Sequence, residues 1–231
     1  MTGTLAGMLA AAVLFVAGHL VLSSRPLRPV LIAHLGEGGF RALYATIALV
    51  TLVWLIAAYA SAPRIVLWPD SAAARILPLV VMPFAAILVV CGLTTRSVTA
   101  IGGEAFAGGP APAPGILKVT RHPFLWGVAL WALVHIPPNG DVASLALFAS
   151  FAGLAFAGMG HIDRRRAAAL GAAWGPIALT TSVLPFAALL SRRARLDVAE
   201  IGVWRLAGGL VLYAALLFGH GWLVGVPALP N

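Results

Sequence analysis

Charge is what this sequence has least of. Only 10% of its 231 residues are Asp, Glu, Lys or Arg, against 61% that are hydrophobic. A soluble domain of this length needs a far more charged surface. Carboxylates are scarcest, seven in all, and none forms a pair inside an apolar run. Paired acid–base hydrolysis is therefore poorly supported. There is one cysteine, Cys91, which excludes an internal disulfide and a thiolate zinc cluster. Within its apolar run Cys91 reads as a small buried hydrophobe. No HExxH, Walker loop or nucleophile elbow is present. The first basic residue, Arg25, follows the first apolar run, so no cleavable signal peptide is read.

Long hydrophobic runs are what the sequence does have. They are continuous rather than alternating, which favours helices over a barrel. In lipid, only these two structures satisfy every backbone hydrogen bond. Six spans are expected, at about Leu5–Leu22, Ala42–Ala60, Ile76–Leu93, Pro123–Ile136, Val142–His161 and Val203–Val224. The fourth is short. Between the fifth and sixth, Ala178–Leu190 is apolar but too short to span, and it ends at an arginine cluster. It reads as an interfacial helix. The expected fold is all-α: a polytopic membrane protein of about six transmembrane helices and one interfacial helix, one domain over residues 1–231. Gly108 to Gly115 reads as a loop within that domain, and Pro137 to Asp141 as a tight turn.

The net charge of +8 has a topological reading. Twelve basic residues fall in the first, third and fifth loops: Arg25, Arg28, Arg41, Arg96, Lys118, Arg121, Arg164, Arg165, Arg166, Arg192, Arg193 and Arg195. The second and fourth loops hold only Arg64 and Arg75. The positive-inside rule then places both termini on the non-cytoplasmic side. The bilayer and its anionic headgroups are the expected partner of these residues, and no nucleic acid is expected. Trp126, Trp131 and Trp222 fit an interfacial aromatic belt.

Ionisable groups inside spans are costly and point to function. Four histidines sit at span ends: His19, His122, His135 and His220. Imidazole is the commonest metal ligand, and paired histidines hold haem iron. Each also has a plainer reading. His122 can open a helix with Pro123 at its first position, and the others can be hydrogen-bonded interior residues. His34 and His161 lie at loop margins. Glu37 and Asp141 lie near turns, where they can orient a histidine or cap the turn.

The stretch from Val119 through Arg121-His122-Pro123-Phe124-Leu125-Trp126-Gly127 to Leu130-Trp131 and His135, with Asn139-Gly140-Asp141, resembles the NnrU family of bacterial membrane proteins. Gly18-His19, Leu35-Gly36-Glu37-Gly38, Leu43-Tyr44 and the closing His220-Gly221-Trp222 are similar to that family too. The resemblance implies an inner-membrane protein tied to denitrification, that is, to the enzymes of nitrite and nitric oxide metabolism. The family is similar in turn to plastid zeta-carotene isomerases, which carry haem b on two histidines and isomerise a lipid-soluble substrate. The resemblance puts those ligands at His19 and His135, and puts Ala132 where the isomerases have a cysteine that exchanges with one ligand.

Helix arithmetic bears on that pair. His135 lies 13 residues after His122, roughly 20 Å. His19 lies six residues before Arg25, roughly 9 Å from the same edge. The two then differ in depth by about 10 Å. On depth alone, His135 and His220 form the rival pair.

Arg121-His122-Pro123 followed by Gly127 also resembles the RHPxxxG element of isoprenylcysteine carboxyl methyltransferases, which bind S-adenosylmethionine. The paired glutamates of those enzymes have no counterpart in His161-Ile162-Asp163-Arg164. A third reading is an assembly factor without enzymatic activity. Cofactor contacts are thus expected among His19, His135, His122, His220 and Arg121.

Overall fold

The computed structural model describes residues 3–100, 102–107 and 113–229. Most of the Gly/Pro stretch, residues 108–112, lies outside the described residues. Helices dominate: α1 (Leu5–Leu22), α2 (Leu27–Ser61), α3 (Ala72–Thr94), α4 (Ile116–Val119), α5 (Pro123–His135), α6 (Val142–Leu170), α7 (Trp174–Thr180), α8 (Ala187–Leu190) and α9 (Val203–Val224). Among the described residues, five helical stretches are long and apolar enough to cross a membrane: Leu5–Leu22, Leu27–Ser61, Ala72–Thr94, Val142–Thr180 and Val203–Val224. The all-α, multi-pass architecture expected from the sequence is what is found. The expected fourth span, α5, has 13 residues. At 1.5 Å per residue it is about 20 Å long, short of the roughly 30 Å hydrocarbon core.

The chain divides into two compact units interleaved in sequence. One is Met1–Ala74 with Ala132–Ala157; the other is Arg75–Trp131 with Gly158–Asn231. Both α5 and α6 contribute residues to each unit.

In the first unit, α1 starts at Thr4, whose hydroxyl accepts from the Gly7 N–H at 3.0 Å. Its buried stripe is Gly7, Met8, Ala11, Ala12 and Phe15, the spacing of one helix face. Leu9, Val13 and Leu14 point outward, where lipid is the only solvent that favours them. Helix α2 begins at Leu27, well before the expected Ala42. Leu, Ile and Ala between Leu27 and Leu35 are helix-compatible, and of the glycines that follow only Gly36 leaves helical geometry (φ 70°, ψ 168°). The break divides α2 into segments 27–35 and 37–61. Glu37 pins it, accepting from Arg28 at 3.0 Å and from Arg41 at 3.3 Å.

A polar clasp closes the other end of this unit. Asp141 caps α6 by accepting from the Ser144 N–H at 3.0 Å and the Ser144 hydroxyl at 2.6 Å. Arg64 reaches Asp141 at 3.3 Å and lies over the Tyr59 ring at 4.3 Å. Backbone bonds from Leu67 N to Gly140 O (2.7 Å) and Val142 N to Ile65 O (3.0 Å) zip the two loops together. Gly140 lies so close to the Trp68 backbone that a Cβ there would collide with it. Burial raises the Asp141 carboxyl's pKa. The Ser144 hydrogen bonds and Arg64 outweigh it and hold the carboxyl below the usual range.

In the second unit, helix packing relies on glycine. A Cβ on Gly209 of α9 would sit 2.5 Å from the Ile87 Cα of α3, and one on Gly127 of α5 would sit 2.8 Å from the Ala85 carbonyl of α3. Close backbone approach of this kind drives helix association in lipid. Pro83 inside α3 lacks the N–H that would bond the Leu79 carbonyl. Tyr213 of α9 supplies the missing donor at 3.1 Å. Cys91 is fully buried beside Ile116, Leu117, Val119 and Ile201, as a small hydrophobe should be.

Two expectations for this unit change. Helix α6 continues through Arg164, Arg165 and Arg166 to Leu170 rather than ending at His161. Ala178–Leu190 is not one interfacial helix. Helix α7 stops at Thr180, the chain runs extended through Thr181, and α8 starts after Phe186 in a left-handed turn (φ 65°). The extended piece is captured by residues 119–121. Arg121 N donates to Ser182 O and Phe186 N to Val119 O, both at 2.8 Å. The Thr120 hydroxyl and the Trp126 indole N–H both donate to Val183 O at 2.8 Å. These tertiary bonds replace the intrahelical ones a continuous helix would make.

Candidate functional site

His19 and His135 fall in the same compact unit. His19 lies on the last turn of α1 and is half-buried. Its Nδ1 is 2.7 Å from the Phe15 carbonyl one turn earlier. A carbonyl only accepts, so Nδ1 is the donor, and in the neutral imidazole the lone pair is then on Nε2. That is the tautomer a metal ligand requires. The ring is held edge-on by Phe15 (centroids 4.7 Å) and Tyr44 (5.6 Å).

His135 ends α5 and is also half-buried. Its ring centroid lies 5.4 Å from that of Phe148 on α6. Phe151, three residues further on α6, packs against Phe15 at 5.1 Å. Residues three apart on a helix share a face. One aromatic row on α6 therefore touches His135 directly and His19 through Phe15. Among the described residues no three of His, Cys, Asp and Glu gather as a metal cluster. Within this unit the nitrogen donors at hand are the imidazoles of His19 and His135, each packed against aromatic rings.

Arg121, His122 and His220 belong to the other unit. His122 is 3% exposed, and its Nε2 lies 2.8 Å from Asp163 Oδ1. An ionised carboxylate only accepts, so this nitrogen is the donor. Asp163 Oδ2 also meets Arg121 Nε at 3.3 Å. The Arg121 guanidinium lies over the Trp174 ring at 5.2 Å. Burial pulls its pKa down, the Asp163 charge opposes this, and nearby Arg193 adds to the lowering. His220 Nδ1 donates to the Val226 carbonyl at 2.6 Å, in the turn that ends α9 at Gly225 (φ 80°). That bond closes the helix end.

Asp163 was not singled out in the sequence as the partner of Arg121 and His122. It is the sole carboxylate between Asp141 and Asp197, and an isolated acid on an apolar helix is the signal that marks it.

These positions are those on which a resemblance was drawn, and comparison with known proteins bears it out. The family model described as NnrU protein matches residues 7–228. The chain belongs to the NnrU family. This NnrU protein is also 33% identical over 82 residues to the chloroplastic 15-cis-zeta-carotene isomerase of Zea mays. The match takes in 36% of this chain but only 22% of the maize protein. No solved structure matches this chain.

Proposed function

We propose that this NnrU protein binds haem b, which His19 and His135 would hold. The observation that carries this reading is the aromatic row on α6, which links both imidazoles within one unit while His19 keeps Nε2 available. The chemistry such a group would supply when bound is one-electron exchange and small-molecule binding at the iron. The chain's own part is to fix the His19 tautomer through the Phe15 carbonyl, to orient the rings with Phe15, Tyr44 and Phe148, and to exclude water with apolar neighbours.

The work assigned to the protein is redox or ligand-sensing chemistry on nitrogen oxides, beside denitrification enzymes. The alternative substrate is a lipid-soluble molecule to be isomerised, which the name of the maize relative favours. The proposed location is the cell inner membrane with both termini non-cytoplasmic, a topology in which the short α5 makes the sixth crossing, on the strength of the twelve-to-two division of basic residues. Absorption spectroscopy of the detergent-purified protein after haem reconstitution tests the reading. A Soret band that titrates to one haem per chain supports it; no band at any haem ratio refutes it. With haem bound, a spectral shift on adding nitric oxide favours the nitrogen-oxide role, and turnover of a cis-polyene favours isomerisation.

A further inference from the structure

We propose that residues 63–68 form a lipid-seated cap over the outer end of the short helix α5, with Ile65, Val66 and Leu67 inserted at the boundary between headgroups and acyl chains. This does not rest on the haem reading. It starts from a loop whose exposure is the reverse of its chemistry. Ile65, Val66 and Leu67 are consecutive and aliphatic, yet they are 47%, 69% and 51% exposed. The segment is extended, and Val66 forms an antiparallel bridge with Asp141. Successive side chains of an extended segment point to opposite faces. Exposure of all three therefore means that protein covers neither face.

The loop is held in this shape and has not simply failed to collapse. Leu67 N and Trp68 N both donate to Gly140 O, and Val142 N donates to Ile65 O. The Trp68 indole N–H donates to Pro137 O at 2.9 Å. The aliphatic side chains are thus presented outward by a backbone already fixed to the turn after α5. Such presentation lowers the ordering cost of inserting them elsewhere. Arg64 is the one charged residue between Ala62 and Pro69, and Asp141 pairs with it at 3.3 Å. The loop tip therefore offers apolar surface with its local charge neutralised, which marks an interaction surface.

Two observations make lipid the occupant. The loop follows α2, whose Val53 and Ile56 are exposed in the same way. The apolar exterior of a membrane-length helix thus runs on into the loop where charge would mark the water boundary. The second is the length of α5, about 20 Å against a hydrocarbon core of roughly 30 Å. A span that is too short draws the bilayer surface down around its end. The loop is bonded to residues 137–142, directly beyond that end. Its three aliphatic side chains supply apolar surface at the level where α5 has run out. Insertion at the headgroup–acyl boundary keeps the remaining backbone groups within reach of water, as an interfacial segment requires.

The test uses the full chain in phosphatidylcholine nanodiscs, one protein per disc. Val66→Cys is labelled with a thiol-reactive environment-sensitive fluorophore; Cys91 is fully buried, and the wild type serves as the labelling blank. Two quenchers are compared: phosphatidylcholine carrying a nitroxide near the top of its acyl chain, and aqueous iodide. Phe84→Cys, on the exposed side of α3, calibrates lipid, and Ala199→Cys, in the exposed loop before α9, calibrates water. The expected result is that the Val66 label loses most of its emission to the nitroxide lipid, as the Phe84 label does. Quenching by the lipid that is no stronger than at Ala199, with iodide effective, places the loop in water and overturns the proposal. Protection from both quenchers means that protein covers the loop, and overturns it too. Should Val66→Cys fail to fold, Leu67→Cys carries the same measurement with the same outcomes.

Discussion

The two units treat imidazole in opposite ways. In the first, His19 gives its Nδ1 proton to a backbone carbonyl and is otherwise held by ring edges, so one nitrogen keeps a lone pair. In the second, His122 is buried and locked to Asp163, which it shares with Arg121. Both are histidines at helix ends in an apolar sequence, and only their neighbours separate them. A carbonyl that fixes a tautomer prepares a ligand. A carboxylate paired with an arginine as well makes the imidazole part of an ion network, where it holds structure together.

The sharpest way to break this contrast is to remove the imidazoles one at a time. His135→Ala should abolish the haem band, and His19→Ala should abolish it or convert it to a weaker, single-ligand form. His122→Ala should leave the band in place, as read by absorption after reconstitution. A band lost only with His122 would reverse the two roles.

Next comes Asp163→Ala, which leaves Arg121 buried without its carboxylate. Uncoupling a buried pair costs about 3–5 kcal/mol. The carboxylate is 18% exposed, so about 3 kcal/mol is expected, read as a fall in unfolding free energy in mild detergent. Haem retention in the protein that remains folded should be unchanged.

A smaller effect is expected from Gly127→Ala, whose Cβ would meet the Ala85 carbonyl. Overpacking of this kind costs about 1–3 kcal/mol. Thermal unfolding should show it, and Gly153→Ala, which meets nothing within 4 Å, should not.

The smallest effect belongs to the polar clasp of the first unit. The Asp141 carboxyl titrates below its unfolded value of about 3.9. Its contribution is therefore complete above that value and lost as pH falls through the folded one. Asp141→Asn should flatten the loss of stability below about pH 4, measured by thermal unfolding across that range.

How much of this was legible beforehand depended on whether local pattern or tertiary contact decided each feature. Continuous apolar runs marked α1, α3, α6 and α9 because lipid imposes that pattern directly. The early start of α2 was hidden by the three glycines among residues 36–39, which look like a turn, though Gly36 alone breaks the helix. The region after α6 was misread because its hydrophobicity suits an amphipathic helix. What unwinds it is capture by Val119, Thr120, Arg121 and Trp126, which are far away in sequence. At the candidate site, His19 and His135 were visible as costly residues within spans. The Phe15 carbonyl, the α6 aromatic row and the role of Asp163 depend on helix adjacency, which composition does not encode.

The central claim is that two imidazoles of one unit hold a single cofactor. Near-infrared magnetic circular dichroism of the haem-reconstituted, oxidised protein tests it most directly, because the charge-transfer band reports the axial ligand pair. The account predicts a low-spin, bis-histidine signature in the wild type that disappears in both His19→Ala and His135→Ala. A bis-histidine signature that survives either substitution would contradict it.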